Sequence, residues 1–134
     1  MNKRGWRRKP FSKNGGATWS KPVKVDAGGA NDQFFPWLTT NGSGVVGVTW
    51  LDRRLDPSNI NYDAFASIST DGGKTFGASV RVSTASSNPF NDGFGSGFMG
   101  DYTGNIWANN TMIGSWTDTR SGIAQDEVGG YKIL

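Results

Sequence analysis

The chain carries the same octapeptide twice. Ser12-Lys13-Asn14-Gly15-Gly16-Ala17-Thr18-Trp19 and Ser69-Thr70-Asp71-Gly72-Gly73-Lys74-Thr75-Phe76 stand 57 residues apart (12 to 69). Each is followed by a valine pair, Val23/Val25 and Val80/Val82, at the same offset. A second repeated run is Trp50-Leu51-Asp52-Arg53-Arg54 and Trp116-Thr117-Asp118-Thr119-Arg120, offset by 66 residues (50 to 116). The difference falls on residues 88–97, where Asn88-Pro89, Asp92-Gly93 and further glycines mark an inserted loop. Self-similarity of this kind means about two copies of one supersecondary unit, each burying the face its neighbour exposes.

The octapeptide has a local physical logic. A carboxylate or amide two residues after a serine accepts backbone N–H bonds across a tight turn, and the serine hydroxyl braces it. Two glycines supply the positive-φ conformations such a turn needs. The threonine re-enters a strand, and the terminal Trp19 or Phe76 is expected to plug the sheet below. The turn is a staple between strands, with every polar atom given a structural task.

Periodicity around these turns is that of strands. Val45–Trp50, Ala64–Ile68 and Thr111–Trp116 are short β-prone runs bounded by turn residues, and Val23–Val25 and Val80–Val82 alternate like half-exposed edges. Twenty glycines and five prolines among 134 residues interrupt every candidate helix. An aromatic content of 13% argues against a disordered chain. The absence of cysteine removes disulfide frameworks, thiol nucleophiles and Cys-type metal sites. The absence of histidine removes Ser–His triads and zinc-hydrolase sites. An all-β chain without a cofactor is expected.

The net charge of +3 is local in origin, since five of the first nine residues are Lys or Arg. Residues 1–11 therefore read as a basic segment that can add an outer strand, and residues 12–134 as the repeated units. A phosphate-tracking surface would extend beyond one terminus, so nucleic acid is not an expected partner. No stretch has the length of an apolar membrane span. The basic start lacks the apolar core of a secretory leader, so localisation stays open between a cytoplasmic chain, as written, and one whose leader has been lost.

The two octapeptides resemble the Asp-box of sialidase-like (BNR-repeat) proteins, Ser-x-Asp-x-Gly-x-Thr-Trp. The first departs by Asn14 and the second by Phe76. The run from Trp50 to Phe76 is similar to that family's blade core, and Met99-Gly100-Asp101-Tyr102 with Trp116–Arg120 to a last blade. The resemblance implies a partial β-propeller of about two four-stranded antiparallel blades. Its structural box residues would be Ser12, Asn14, Gly16, Thr18 and Trp19, then Ser69, Asp71, Gly73, Thr75 and Phe76. Residues 1–26 would give the outer half of one blade. One complete blade would use Phe34–Thr40, Val45–Trp50, Asn61–Ile68 and Ala78–Ser83, and a further one Thr111–Trp116 with Gly129–Leu134. Proteins of this family are often secreted.

Sialidase chemistry needs arginines for the substrate carboxylate and a tyrosine nucleophile activated by a glutamate. The candidates are Tyr62, Tyr102 and Tyr131 with the single glutamate, Glu127, and no pair maps onto the family's positions. The chain by itself is therefore read as a non-catalytic structural, interaction or glycan-binding unit. The alternative is an exo-sialidase-like hydrolase completed by oligomerisation or further blades. Arg54, Arg120 and Trp37 are the candidate carbohydrate ligands, with Trp107 a further stacking candidate. Against this, Asp52/Arg54 and Asp118/Arg120 recur at equivalent places, as scaffolding does and sites usually do not. Asp52, Asp56, Asn59 and Asp63 have no calcium-loop spacing, and no metal is assigned.

Two blades alone would leave apolar flanks and strand edges bare. The expected partner is a second copy of the chain, with residues 3–11 of one completing the last blade of another. A homotrimer closing a six-bladed ring is favoured, with a dimer as the alternative.

Overall fold

A computed structural model describes residues 8–26, 28–91, 93, 100, 102–121, 126–127 and 131–132. Residues 1–7, Ala27, most of 92–99, Asp101 and the remainder of 122–134 lie outside this set, including part of the predicted loop and of Gly129–Leu134. The described chain is all-β, with eleven strands and no helix. These are β1 (Arg8–Lys9), β2 (Val23–Lys24), β3 (Gln33–Thr40), β4 (Val46–Asp52), β5 (Asp63–Ser69) and β6 (Val80–Arg81). They continue with β7 (Gly104–Ala108), β8 (Thr111–Ser115), β9 (Thr117–Asp118), β10 (Asp126–Glu127) and β11 (Tyr131–Lys132).

Every strand pair is antiparallel. The central sheet has the order β3-β4-β5-β6. β1 and β2 form a hairpin, β11-β8-β7 a three-stranded sheet, and β9 pairs with β10. Among the described residues these sheets close into no barrel or ring.

β4 is buried along its whole length because both faces of the central sheet are covered. Alternation sends Val48 and Trp50 to one face, where they pack with Phe65, Phe76 and Val25 from the hairpin side. Leu51 points to the other, with Ala64, Tyr62 and Trp116. On that second face the next sheet comes close at two glycines. A Cβ on Gly47 would collide with the Met112 and Trp107 side chains, and one on Gly114 would touch Thr49 Cγ2 at 3.4 Å.

Polar bonds hold the two sheets in register. Asn105 on β7 donates to the Trp37 carbonyl and to Thr49 Oγ1, both at 3.0 Å, and also meets the Thr39 hydroxyl. Tyr62 donates its buried hydroxyl to the Thr117 carbonyl at 2.9 Å. At the edge of the central sheet, β3 shifts register between Phe34 and Trp37. Phe35 there takes a φ of 51°, and Pro36, with no N–H to give a ladder, sits in the bulge.

β7, β9 and β10 were not expected from sequence pattern. Gly104-Asn105-Ile106-Trp107-Ala108 has weak strand propensity, and its place comes from five pairs with β8 and from Asn105. The third-strand position beside β8, assigned from sequence to residues 3–11 of another copy or to Gly129–Leu134, holds Tyr131–Lys132 of this chain.

Candidate functional site

The two octapeptides fold into the same turn. In the first, the Ser12 hydroxyl donates to Asn14 Oδ1 at 2.9 Å and accepts the Gly16 N–H at 2.8 Å, while Asn14 Oδ1 accepts the Thr18 N–H at 2.9 Å. In the second, Ser69 donates to Asp71 Oδ1 at 2.7 Å and accepts from Gly73 at 2.8 Å, and Asp71 Oδ1 accepts from Lys74 and Thr75 at 2.9 Å. Gly16 and Gly73 have φ of 92° and 86°, the left-handed region a side chain would resist. The hydroxyls of Ser69 and Thr75 and the Thr75 N–H hold the Asp71 carboxyl well below the usual carboxylate range.

The terminal aromatics differ. Phe76 packs against the core of the central sheet, whereas Trp19 is 63% exposed. Four strands support the second turn, but only the β1–β2 hairpin supports the first.

The candidate arginines are engaged inside the protein. Arg54 donates Nε to Asp52 Oδ2 at 2.8 Å, Nη2 to Asp26 Oδ2 at 2.9 Å and to Asp52, and Nη1 to Ser79 at 3.0 Å. Its guanidinium lies 4.2 Å from the Phe65 ring centre. Asp52 also accepts from the Trp50 indole at 2.9 Å and from Gln33 at 2.6 Å. Burial opposes the charge of Asp26, but Ser79, Arg54 and Gln33 outweigh it and hold the carboxyl below its ordinary value. The Arg54 guanidinium is likewise disfavoured by burial, and Asp52 and Asp26 more than restore it.

Arg120 repeats this geometry one unit later. Asp118 Oδ1 accepts the Arg120 N–H at 2.9 Å and Oδ2 its Nε at 2.7 Å, as Asp52 does with the Arg54 N–H (2.8 Å) and Nε. Arg120 Nη1 reaches Thr84 at 2.6 Å and Ser87 donates to Asp118 at 3.0 Å. For Asp118, too, burial raises and Arg120 with Ser87 more than lowers the pKa. A third pair was not legible in the sequence. Arg81 on β6 donates Nε to Asp63 on β5 at 2.9 Å, with Ser83 and Ser86 bonding the same carboxylate at 2.9 Å.

Trp37 is 49% exposed at the β3 edge, beside Gly104 of the next sheet and away from the face that Arg54 occupies. The three candidate ligands therefore do not converge. Tyr62 is buried, which pushes its phenol up, and its hydroxyl is bonded to a carbonyl. Tyr102 is 81% exposed, and the Glu127 and Tyr131 side chains lie outside the described set. Asp56 accepts the N–H groups of Asn61 (2.6 Å), Ser58 (2.9 Å) and Ile60 (3.0 Å), which hold its carboxyl below the ordinary value and fix the 56–61 loop. Asn59 Oδ1 accepts from Asp32 N at 2.9 Å. Asp52, Asp56, Asn59 and Asp63 are thus spent on separate tasks.

A concave surface unmarked by any sequence motif lies at the other end of the sheets. It is a groove of about 590 Å³ between residues 39–43, the β3–β4 turn, and residues 106–110, the β7–β8 turn. Its lining carries no charged side chain.

No family model, curated protein or solved structure matches this chain.

Proposed function

We propose that the chain is a segment of a sialidase-like, Asp-box β-propeller that acts by packing and binding and does not itself catalyse glycoside hydrolysis. The observation that carries this reading is the engagement of Arg54 and Arg120. Their guanidinium nitrogens are committed to Asp52, Asp26 and Asp118 within the fold, where an anionic sugar would have to compete with buried carboxylates. The propeller part rests on the two like turns and on the repeated Asp–Arg geometry. It rests also on a central sheet covered on both faces, as a blade between neighbours is.

Assembly follows from the same features. Ile106 and Ile113 form a cross-strand pair on β7–β8, 65% and 41% exposed, and Trp19 is bare on the hairpin at the other end of the stack. By the repeat offset Ile113 corresponds to Gly47, which inside the chain faces the next sheet. We propose a second copy as the occupant of this face. Its β1–β2 hairpin replaces the two-residue strand β11 beside β8, and three copies close a ring. A dimer covers the flanks less completely.

A fluorogenic sialoside incubated with the protein at high concentration tests the non-catalytic reading. No turnover above buffer is expected. Turnover that is lost on Arg54→Lys would overturn it.

A further inference from the structure

We propose that the groove between the β3–β4 and β7–β8 turns is a binding site for neutral saccharides. It lies at the end of the sheets where Val46 pairs with Ser69, opposite the end where Asp52 pairs with Asp63, so the arginine pairs have no part in it. Its volume of about 590 Å³ falls within the roughly 300–1,000 Å³ of small-molecule sites.

The lining chemistry selects the ligand class. With no charged side chain present, nothing favours a phosphate, a carboxylate or a cation. What is offered is a set of groups that both donate and accept, the amides of Asn41, Asn109 and Asn110 and the hydroxyls of Thr40 and Ser43, beside the half-buried Trp107. A sugar has the matching composition, with hydroxyls around its rim and an apolar C–H face that packs on an indole. Among the described residues the side-chain amides of Asn109 and Asn110 bond to nothing within the chain.

Both walls are preorganised. Asn41 Oδ1 accepts the N–H groups of Ser43 and Val45 at 2.9 Å, which fixes the first turn. The second is a two-residue hairpin closed by the Ala108–Thr111 pair, with Asn109 at a φ of 55°. Rigid walls reduce the ordering entropy that binding must overcome.

The test is an NMR titration of ¹⁵N-labelled protein with cellohexaose, maltohexaose and chitohexaose, and with 3′-sialyllactose as the charged comparison. At least one neutral probe is expected to shift the Trp107 indole and the Asn109 and Asn110 amide signals saturably, with Kd between about 0.1 and 10 mM. The double variant Asn109→Gly/Asn110→Ser keeps residue types that suit the turn, and its affinity should fall about tenfold or more with the remaining spectrum unchanged. Unchanged signals with all three neutral probes would overturn the proposal. So would an equal response in the double variant, or a response to 3′-sialyllactose alone. Ile106 lines the groove and also belongs to the face proposed for a second copy, so the titration is repeated on Ile113→Asp, which leaves the lining intact; silence there too overturns the groove proposal and leaves the packing proposal standing.

Discussion

Asn14 and Asp71 occupy the same place in the two octapeptide turns, yet the bond each makes to its threonine runs in opposite directions. Asn14 donates Nδ2 to Thr18 Oγ1 at 2.9 Å, whereas Thr75 donates its hydroxyl to Asp71 Oδ2 at 2.6 Å. One turn is therefore neutral and the other carries a charge.

This difference predicts an acid-dependent contribution from one turn only. The Asp71 pKa is depressed in the folded chain, so its stabilisation is present above the unfolded value near about 3.9 and is lost as pH falls toward the lower folded one. Asp71→Asn, which copies the residue at position 14, should lower the melting temperature at pH 7, where the ionised carboxylate contributes. It should make that temperature less pH-dependent below about pH 4. Asp26, Asp56 and Asp118 are also depressed, so the wild type and the variant both retain a slope. Melts at matched pH values check the difference, and identical slopes would show that Asp71 is not held as described.

The two aspartate–arginine pairs should differ in cost. Arg54→Met strands the fully buried carboxylates of Asp52 and Asp26, and a loss of about 3–5 kcal/mol is expected. Asp118 is as buried as Asp52, but Arg120 is 34% exposed and ties one carboxylate where Arg54 ties two, so Arg120→Met should cost less, about 1–3 kcal/mol. Denaturant unfolding of both variants checks the order. Equal costs would contradict the assignment of Arg54 as the tie between the hairpin side and the central sheet.

Close packing at Gly47 is a third point of test. Gly47→Ala pushes against Met112 and Trp107 and should destabilise by roughly 1–3 kcal/mol. Much of that cost should vanish when Met112 is already alanine, because the methyl then enters the space the thioether leaves. A double-mutant cycle with no coupling would mean that the second sheet does not sit on that face.

Asn105 should behave as a tie between the same sheets. Asn105→Leu leaves Thr49 Oγ1 and the Trp37 carbonyl without their partner, and an expected cost of about 1–3 kcal/mol can be read from denaturant unfolding. A variant as stable as the wild type would remove Asn105 from this role.

Features with a local cause could be read from the chain. The turn bonds follow from the spacing of Ser69, Asp71, Gly73 and Thr75, and the strand at Val46–Asp52 from its β-branched and aromatic content. Asp52 and Arg54 lie two apart and meet on one face. Features made by register were hidden. Asp63 and Arg81 are brought together by the β5–β6 pairing, and Asn105 is placed by the pairing of β7 with β8. The groove is hidden for the same reason, since its walls come from turns of two different sheets. Trp19 shows the limit of the repeat itself, because its burial depends on the strands beneath it, and the residue type does not supply those.

A run of like units whose outer faces receive further units, as proposed above, has to assemble in solution. Light scattering of the purified chain at micromolar concentration tests it most directly. A closed assembly of three copies is expected, with loss of assembly on Ile106→Asp/Ile113→Asp and retained β circular dichroism. A stable, well-folded 14.4 kDa monomer would contradict it.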